Sequence, residues 1–243
     1  MRYLLPSLVA LCVSAGAASA STITFETFTV AGYNATLATL GGNVISEDFE
    51  SFSEGNVGGV GSPFATSVGT FETLGGTGSG GTVTGELFGG VANDGTQLAV
   101  RDGSVFGRTS TTADLTGDSA DDTFLDSNDT LGISFIADLG GLQFDRILLT
   151  LTDAADTGAS VTVTAGGDTV IFDDLSNANQ QSLLIDFGGL VSSAQIDFTN
   201  SRVNDGFSLD DIAVAAVPLP AAGWMLLAGL AGLFAMRRRR LQA

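Results

Sequence analysis

From Ile23 to Val214 the chain alternates apolar and polar residues in short runs that glycine repeatedly interrupts. Val161-Thr162-Val163-Thr164 and Ile196-Asp197-Phe198-Thr199 show the pattern most cleanly. A period of two puts one face of an extended chain against a core and the other toward water. Strands are predicted at Ile23–Val30, Val44–Phe52, Val68–Leu74, Thr82–Phe88, Gln97–Val100 and Leu131–Ala137. Six more follow at Ile147–Thr152, Val161–Ala165, Val170–Phe172, Ser182–Phe187, Ala194–Thr199 and Phe207–Val214. Turn signals such as Gly140-Gly141, Gly166-Gly167 and Gly188-Gly189 separate them. No stretch of 3.6-residue periodicity is long enough to predict a helix. About a dozen short strands in one unit predict an all-β fold, a β-sandwich or jelly roll. Gly55–Asp129 is looser than the rest, with a linker-like Gly75–Gly81 and a polar, acidic Asp114–Asp129. It reads as insertions at one end of a single sandwich spanning 21–216.

Composition narrows the chemistry. Ser21–Ala216 carries four arginines (Arg101, Arg108, Arg146, Arg202) against all 27 carboxylates, a formal charge of −23. Such a surface repels phosphates and excludes nucleic acid as a direct partner. The whole chain has no lysine and no histidine, and its one cysteine is Cys12. A Ser-His-Asp triad, a thiol nucleophile and a Schiff base are therefore unavailable to residues 21–216, as are nitrogen and sulfur ligands for zinc or copper. Paired carboxylates, the machinery of glycoside hydrolysis, are the one catalytic option left. With 27 candidates, the sequence singles out none as catalytic.

The two ends read as addresses. Arg2, the apolar Leu4–Val13 and Ala18-Ser19-Ala20 form a secretory leader, with cleavage expected between Ala20 and Ser21. Leu11 before Cys12 is not the small residue a lipoprotein signal requires. At the other end, Ala221–Met236 is uncharged, roughly 24 Å as a helix, and four arginines follow, Arg237, Arg238, Arg239 and Arg240. These arginines are expected to stay cytoplasmic, which exports everything before Val217. Val217-Pro218-Leu219-Pro220-Ala221, the apolar run and the arginine cluster together resemble the VPLPA-type sorting signal of the PEP-CTERM class of bacterial surface proteins. The resemblance covers about a tenth of the chain, residues 217–243. It implies an inner-membrane-anchored precursor and recognition by an exosortase-type protease, followed by delivery to the cell surface or the extracellular matrix. A single-span anchor that is never processed fits the same residues.

Calcium is the metal that a chain rich in carboxylates suits, because it takes oxygen ligands. Asp205-Gly206-Phe207-Ser208-Leu209-Asp210-Asp211-Ile212 resembles the last strand of jelly-roll domains in PEP-CTERM proteins and carbohydrate-binding modules. That resemblance implies Glu50 and Asp211 as ligands of a structural calcium, joined by Asp48 and Asp210, where an early strand pairs with the last one. An exposed turn with ordinary aspartates is the alternative. The Asp114–Asp129 loop lacks the EF-hand order, since Leu131 stands where the glycine belongs; it reads as solvated, with loose calcium binding as the alternative. Sugar stacking normally uses Trp or Tyr, and Ser21–Ala216 offers only Tyr33. The expected role is thus structural or adhesive in the envelope or matrix. A carbohydrate-binding module that contacts extracellular polysaccharide is the alternative, and a carboxylate-based hydrolase stands behind both.

Overall fold

The computed structural model describes residues 20–41, 43–75, 87–88, 91–92, 96–111, 123–155, 158–202 and 206–217. The chain opens with β1 (Thr22–Thr27) and α1 (Val30–Thr39), then β2 (Val44–Glu47), β3 (Gly55–Val57), β4 (Phe64–Thr66) and β5 (Gly69–Thr73). Short strands follow: β6 (Leu87–Phe88), β7 (Val91–Ala92), β8 (Leu98–Asp102), β9 (Ser104–Val105), β10 (Arg108–Thr109) and β11 (Thr123–Asp126). The regular half comprises β12 (Gly132–Asp138), β13 (Gln143–Thr152), β14 (Ser160–Ala165), β15 (Asp168–Asp173), β16 (Gln180–Val191), β17 (Ser193–Asn200) and β18 (Ser208–Val217).

Two antiparallel sheets pack together. The larger runs β1-β16-β13-β18-β11-β8-β3, with β2 also pairing β18; the smaller runs β15-β14-β17-β12-β5-β4. Their facing residues form one core. Ile147, Leu149, Leu151, Leu183, Ile185, Ile212 and Val214 meet Phe71, Ile133, Phe135, Val161, Val163, Ile196 and Phe198 across the gap. Phe71 and Phe135 stack at 4.4 Å with planes 7° apart. Gly132 is required in this core. Its φ is +139°, and a Cβ there would lie 1.9 Å from the Phe198 carbonyl oxygen.

From β12 onward every predicted strand is present, most of them longer than expected. Four departures have physical causes. Ile23–Val30 ends at Thr27, and Thr29 then caps α1, its side chain accepting from Gly32 N at 3.0 Å. Only Tyr33, Leu37 and Leu40 of this segment pack inward, too few to produce a periodic signal. Val44–Phe52 stops at Glu47 because Phe49 turns to a positive φ of 61°. Thr123–Asp126, expected in a solvated loop, is a strand buried throughout. The looser part also holds β3, β4, β9 and β10, which no alternation announced.

The chain enters and leaves the described sandwich at the same end of its strands. Thr22 pairs with Asp186, which pairs with Arg146, while Val217 pairs with Gln143. At the opposite end Thr27 pairs with Gln181, and Thr152 with both Gln180 and Ser208. Among the described residues no helix is long and apolar enough to cross a membrane. The leader before Ala20, Pro218-Leu219-Pro220-Ala221, the apolar run and Arg237–Arg240 lie outside them.

Candidate functional site

The outer face of the large sheet is also covered, in two unlike ways. Toward the end where the chain enters and leaves, α1 packs Tyr33, Leu37 and Leu40 on Leu148, Leu184, Ala213 and Ala215. These residues alternate with the core set and so project from the other face. Farther along, residues 108–111 cross the strands through polar bonds. Ser208 Oγ donates to Thr109 O at 3.1 Å, Thr111 N to Asp210 Oδ2 at 3.1 Å and Gln180 Nε2 to Ser110 O at 3.4 Å. The Thr111 and Thr150 hydroxyls lie 2.9 Å apart.

Beneath this strap lies the Asp210-Asp211 pair, 2% and 0% exposed. Its position follows from a fork in the sheet. One edge of β18 pairs with β11 at Ser208 and Leu209, then with β2 from Ile212 to Ala215. The two aspartates fall where one partner gives way to the other. On the opposite edge, register with β13 shifts between Thr150↔Asp210 and Leu148↔Ala213. Asp211 takes a positive φ of 50° in that bulge, a conformation Asp tolerates better than most residues. Thr111 Oγ1 donates to Asp211 Oδ2, Tyr33 OH to Asp211 O, and Thr150 Oγ1 to Asp210 O at 2.9 Å. The Tyr33 hydroxyl is held well above its ordinary pKa, first by burial and then by the negative charge of Asp211 and Asp210.

A knot of arginines adjoins the pair. Arg101 Nε bonds Asp126 Oδ2, and its Nη2 donates to Asn128 Oδ1 at 2.8 Å. Arg108 Nη1 reaches Asp126 Oδ1 at 3.1 Å and Asp129 Oδ1 at 3.0 Å. Burial acts to lower the Arg108 pKa, but Asp126, Asp129 and Asp153 outweigh it and hold the group above its usual value. Gly206 backs onto this knot, where a Cβ would stand 1.8 Å from Arg108 Nη1. In all, the carboxylates of Asp126, Asp129, Asp153, Asp210 and Asp211, each no more than 4% exposed, outnumber two buried guanidiniums.

The remaining expected ligands sit on the neighbouring strand. Glu47 pairs with Ile212, which brings the Asp48–Glu50 turn beside the fork. Glu50 Oε1 accepts from Thr123 N at 2.7 Å, and Asp48 Oδ1 from Glu50 N at 3.4 Å. Glu47 ties this edge to the other sheet, accepting from Ser67 N at 3.0 Å. The structure thus gathers the two acidic phrases at adjacent strands. Among the described residues, however, no group of three or more carboxylates is arranged to hold a metal ion. Asp114, Asp118, Asp121 and Asp122 lie outside the described residues.

Sequence reasoning gives Arg101, Arg108 and Thr111 no site role and puts Asp126 in a solvated loop. One signal was readable, Arg101 directly after the apolar Leu98-Ala99-Val100. Of the processing residues, Ser21 precedes β1 and donates from Oγ to Ala165 O at 3.0 Å, and Val217 is the last residue of β18. No protein-family model and no curated protein matches the chain.

Proposed function

We propose that the chain is an exported protein of the cell envelope or extracellular matrix. Its jelly-roll-type sandwich has a structural or adhesive role rather than a catalytic one. The proposal includes sorting at Val217-Pro218-Leu219-Pro220-Ala221 by an exosortase-type protease, from an inner-membrane precursor held by the apolar run and Arg237–Arg240. The observation that carries the non-catalytic part is where the strongest polar chemistry sits. Asp126, Asp129, Asp210 and Asp211 are buried under the Arg108–Thr111 strap and bonded within the fold. A glycosidase's carboxylates must instead line a cleft open to its substrate. Intact mass of the native protein is the test. Ends at Ser21 and near Val217 are expected; a chain that retains its leader and tail in the cytoplasm overturns the reading.

Calcium belongs to the same proposal, as a structural ion. Seven buried carboxylates, Glu47 and Asp48 among them, against two guanidiniums leave a formal excess of five negative charges, part of which a cation at Asp210-Asp211 would offset. Glu50 and Asp48 on the adjacent turn are the further ligands proposed. An ion that binds only the native state must raise its melting temperature. A rise at about 1 mM calcium, the range of weak extracellular sites, that Asp211→Asn abolishes is the expected result. An unchanged melting temperature removes calcium from the reading and leaves export untouched.

One observation favours the carbohydrate-binding alternative. Exposed Ile171 lies in an open cleft with Asp173, Asp174, Ser160 and Ser201, an apolar platform ringed by groups that bond sugar hydroxyls. Binding on a polysaccharide array that Ile171→Asp removes supports this reading over a purely structural role.

A further inference from the structure

We infer that the sandwich stands end-on against the bilayer, with the fork and arginine knot held at its far end. This rests on the anchoring role of Val217–Ala243 proposed above. The observation behind it is a juxtaposition that the sequence did not show. Thr22 and Val217, the residues at which the described sheet begins and ends, lie at the same end of its strands, both level with the first residues of β13, Arg146 and Gln143. The two apolar segments of the sequence, Leu4–Val13 and Ala221–Met236, therefore connect to the described fold at the same end.

The tether on the C-terminal side is short. Val217 is still paired with Gln143 inside the sheet, and only Pro218, Leu219 and Pro220 separate it from Ala221. Three residues can reach no more than about 10 Å at roughly 3.3 Å each. Pro218 disfavours the helical region for Val217, which stays paired as the last residue of β18. β18 then carries the fold away from the membrane, and Ser208 stands about 30 Å farther out at the same rise per residue. The near rim holds Asp138, Asp145, Asp168 and Asp186 together with Arg146, which pairs with Asp186. It has no attraction of its own for an anionic headgroup, so the tether alone sets the orientation.

The absence of cysteine beyond Cys12 makes the test direct. In the full-length Cys12→Ser chain, Ser192→Cys labels the near rim and Ser176→Cys the far end, both at exposed turns. Each variant is labelled with an environment-sensitive fluorophore and reconstituted in vesicles that carry a headgroup quencher. Loss of emission at position 192 with emission retained at 176 is expected. A flexible Gly/Ser insert of about 20 residues after Val217, with a coil dimension of roughly 25 Å, is expected to erase the difference. Equal loss at both positions without the insert overturns the orientation while the anchor stands. Failure of the chain to float with vesicles overturns the anchor, and the orientation with it.

Discussion

Leu149 and Thr150 are neighbours in β13 and both are wholly buried, yet they face opposite chemistries. Leu149 points into the core between the sheets, where its partners are other hydrocarbon side chains. Thr150 points to the outer face, where it bonds Asp210 and Thr111 under a strap of polar backbone. The first region gains its stability from area removed from water, is tolerant of exchange among similar volumes, and loses a few kcal/mol when a side chain is cut back. The second has removed charges from water and is held only while each keeps its partner. One sheet therefore separates a region that degrades gradually from one that fails at single atoms.

Asp126→Ala tests that contrast most severely. It removes the carboxylate that Arg101 and Arg108 share, leaving Arg101 buried with Asn128 as its described side-chain partner. A loss of about 3–5 kcal/mol is expected, as for other buried pairs broken from one side. Phe135→Ala, in the dry core, belongs to the same range of about 3–5 kcal/mol. The midpoint of urea unfolding reads both. The comparison is broken if Asp126→Ala shifts the midpoint no more than a surface substitution does.

Gly206→Ala is expected to lose less, about 1–3 kcal/mol, the usual range for overpacking. The added methyl meets Arg108 Nη1 at 1.8 Å and Asp129 Oδ1 at 3.1 Å, so it must displace the knot itself. A companion Arg108→Ala change, which clears the space, sharpens the point. In that background the alanine at position 206 should add almost no further loss.

The difference between the two regions also explains what could be read from the sequence. Period-two alternation reports one apolar face, so β12, β14 and β17 were legible to within a residue or two. Asp126 of β11 and the first residues of β18 are polar but buried, and in sequence Thr123–Asp126 and Asp210-Asp211 look the same as solvated segments. What buries them is a strap far away in the chain, the residues around Arg108 and Thr111. Its strands, two residues each, are too short to register. Glu47 pairs with Ile212, so the strands that carry or precede Asp48–Glu50 and Asp210-Asp211 are neighbours. Only the structure showed that Asp210-Asp211 falls where β18 changes partner from β11 to β2. Helix α1 escaped notice because its inward stripe is three residues long.

Tyr33 joins the helix-covered patch to the polar strip, and its removal should have a moderate, pH-dependent effect. Tyr33→Phe deletes the bond to Asp211 O, a loss of about 1 kcal/mol at neutral pH. The folded pKa lies well above the unfolded value, near 10. Above pH ~10 the unfolded chain gives up a proton that the folded chain keeps, so this contribution is full below that pH and declines as pH rises. The variant has no such proton. The stability gap between wild type and variant should therefore narrow above pH 10, and a gap that stays constant would mean Tyr33 ionises equally in both states.

Arg146 and Asp145 give the smallest effect and the cleanest control, because the same two side-chain types meet there as at Arg101 and Asp126. Their separation is 3.4 Å and both are partly exposed, so water screens the attraction. Asp145→Asn should change stability by no more than about 0.5 kcal/mol. Arg146 has other work, donating to the Thr39 and Leu40 carbonyls at 2.9 and 3.2 Å where α1 ends. Those carbonyls have no partner within the helix, and a cation there also meets the negative end of its dipole. Arg146→Ala should accordingly lose about 1 kcal/mol, more than the loss of Asp145 and well short of Asp126→Ala. If Asp145→Asn equals Arg146→Ala, the ion pair rather than the helix end is what Arg146 serves.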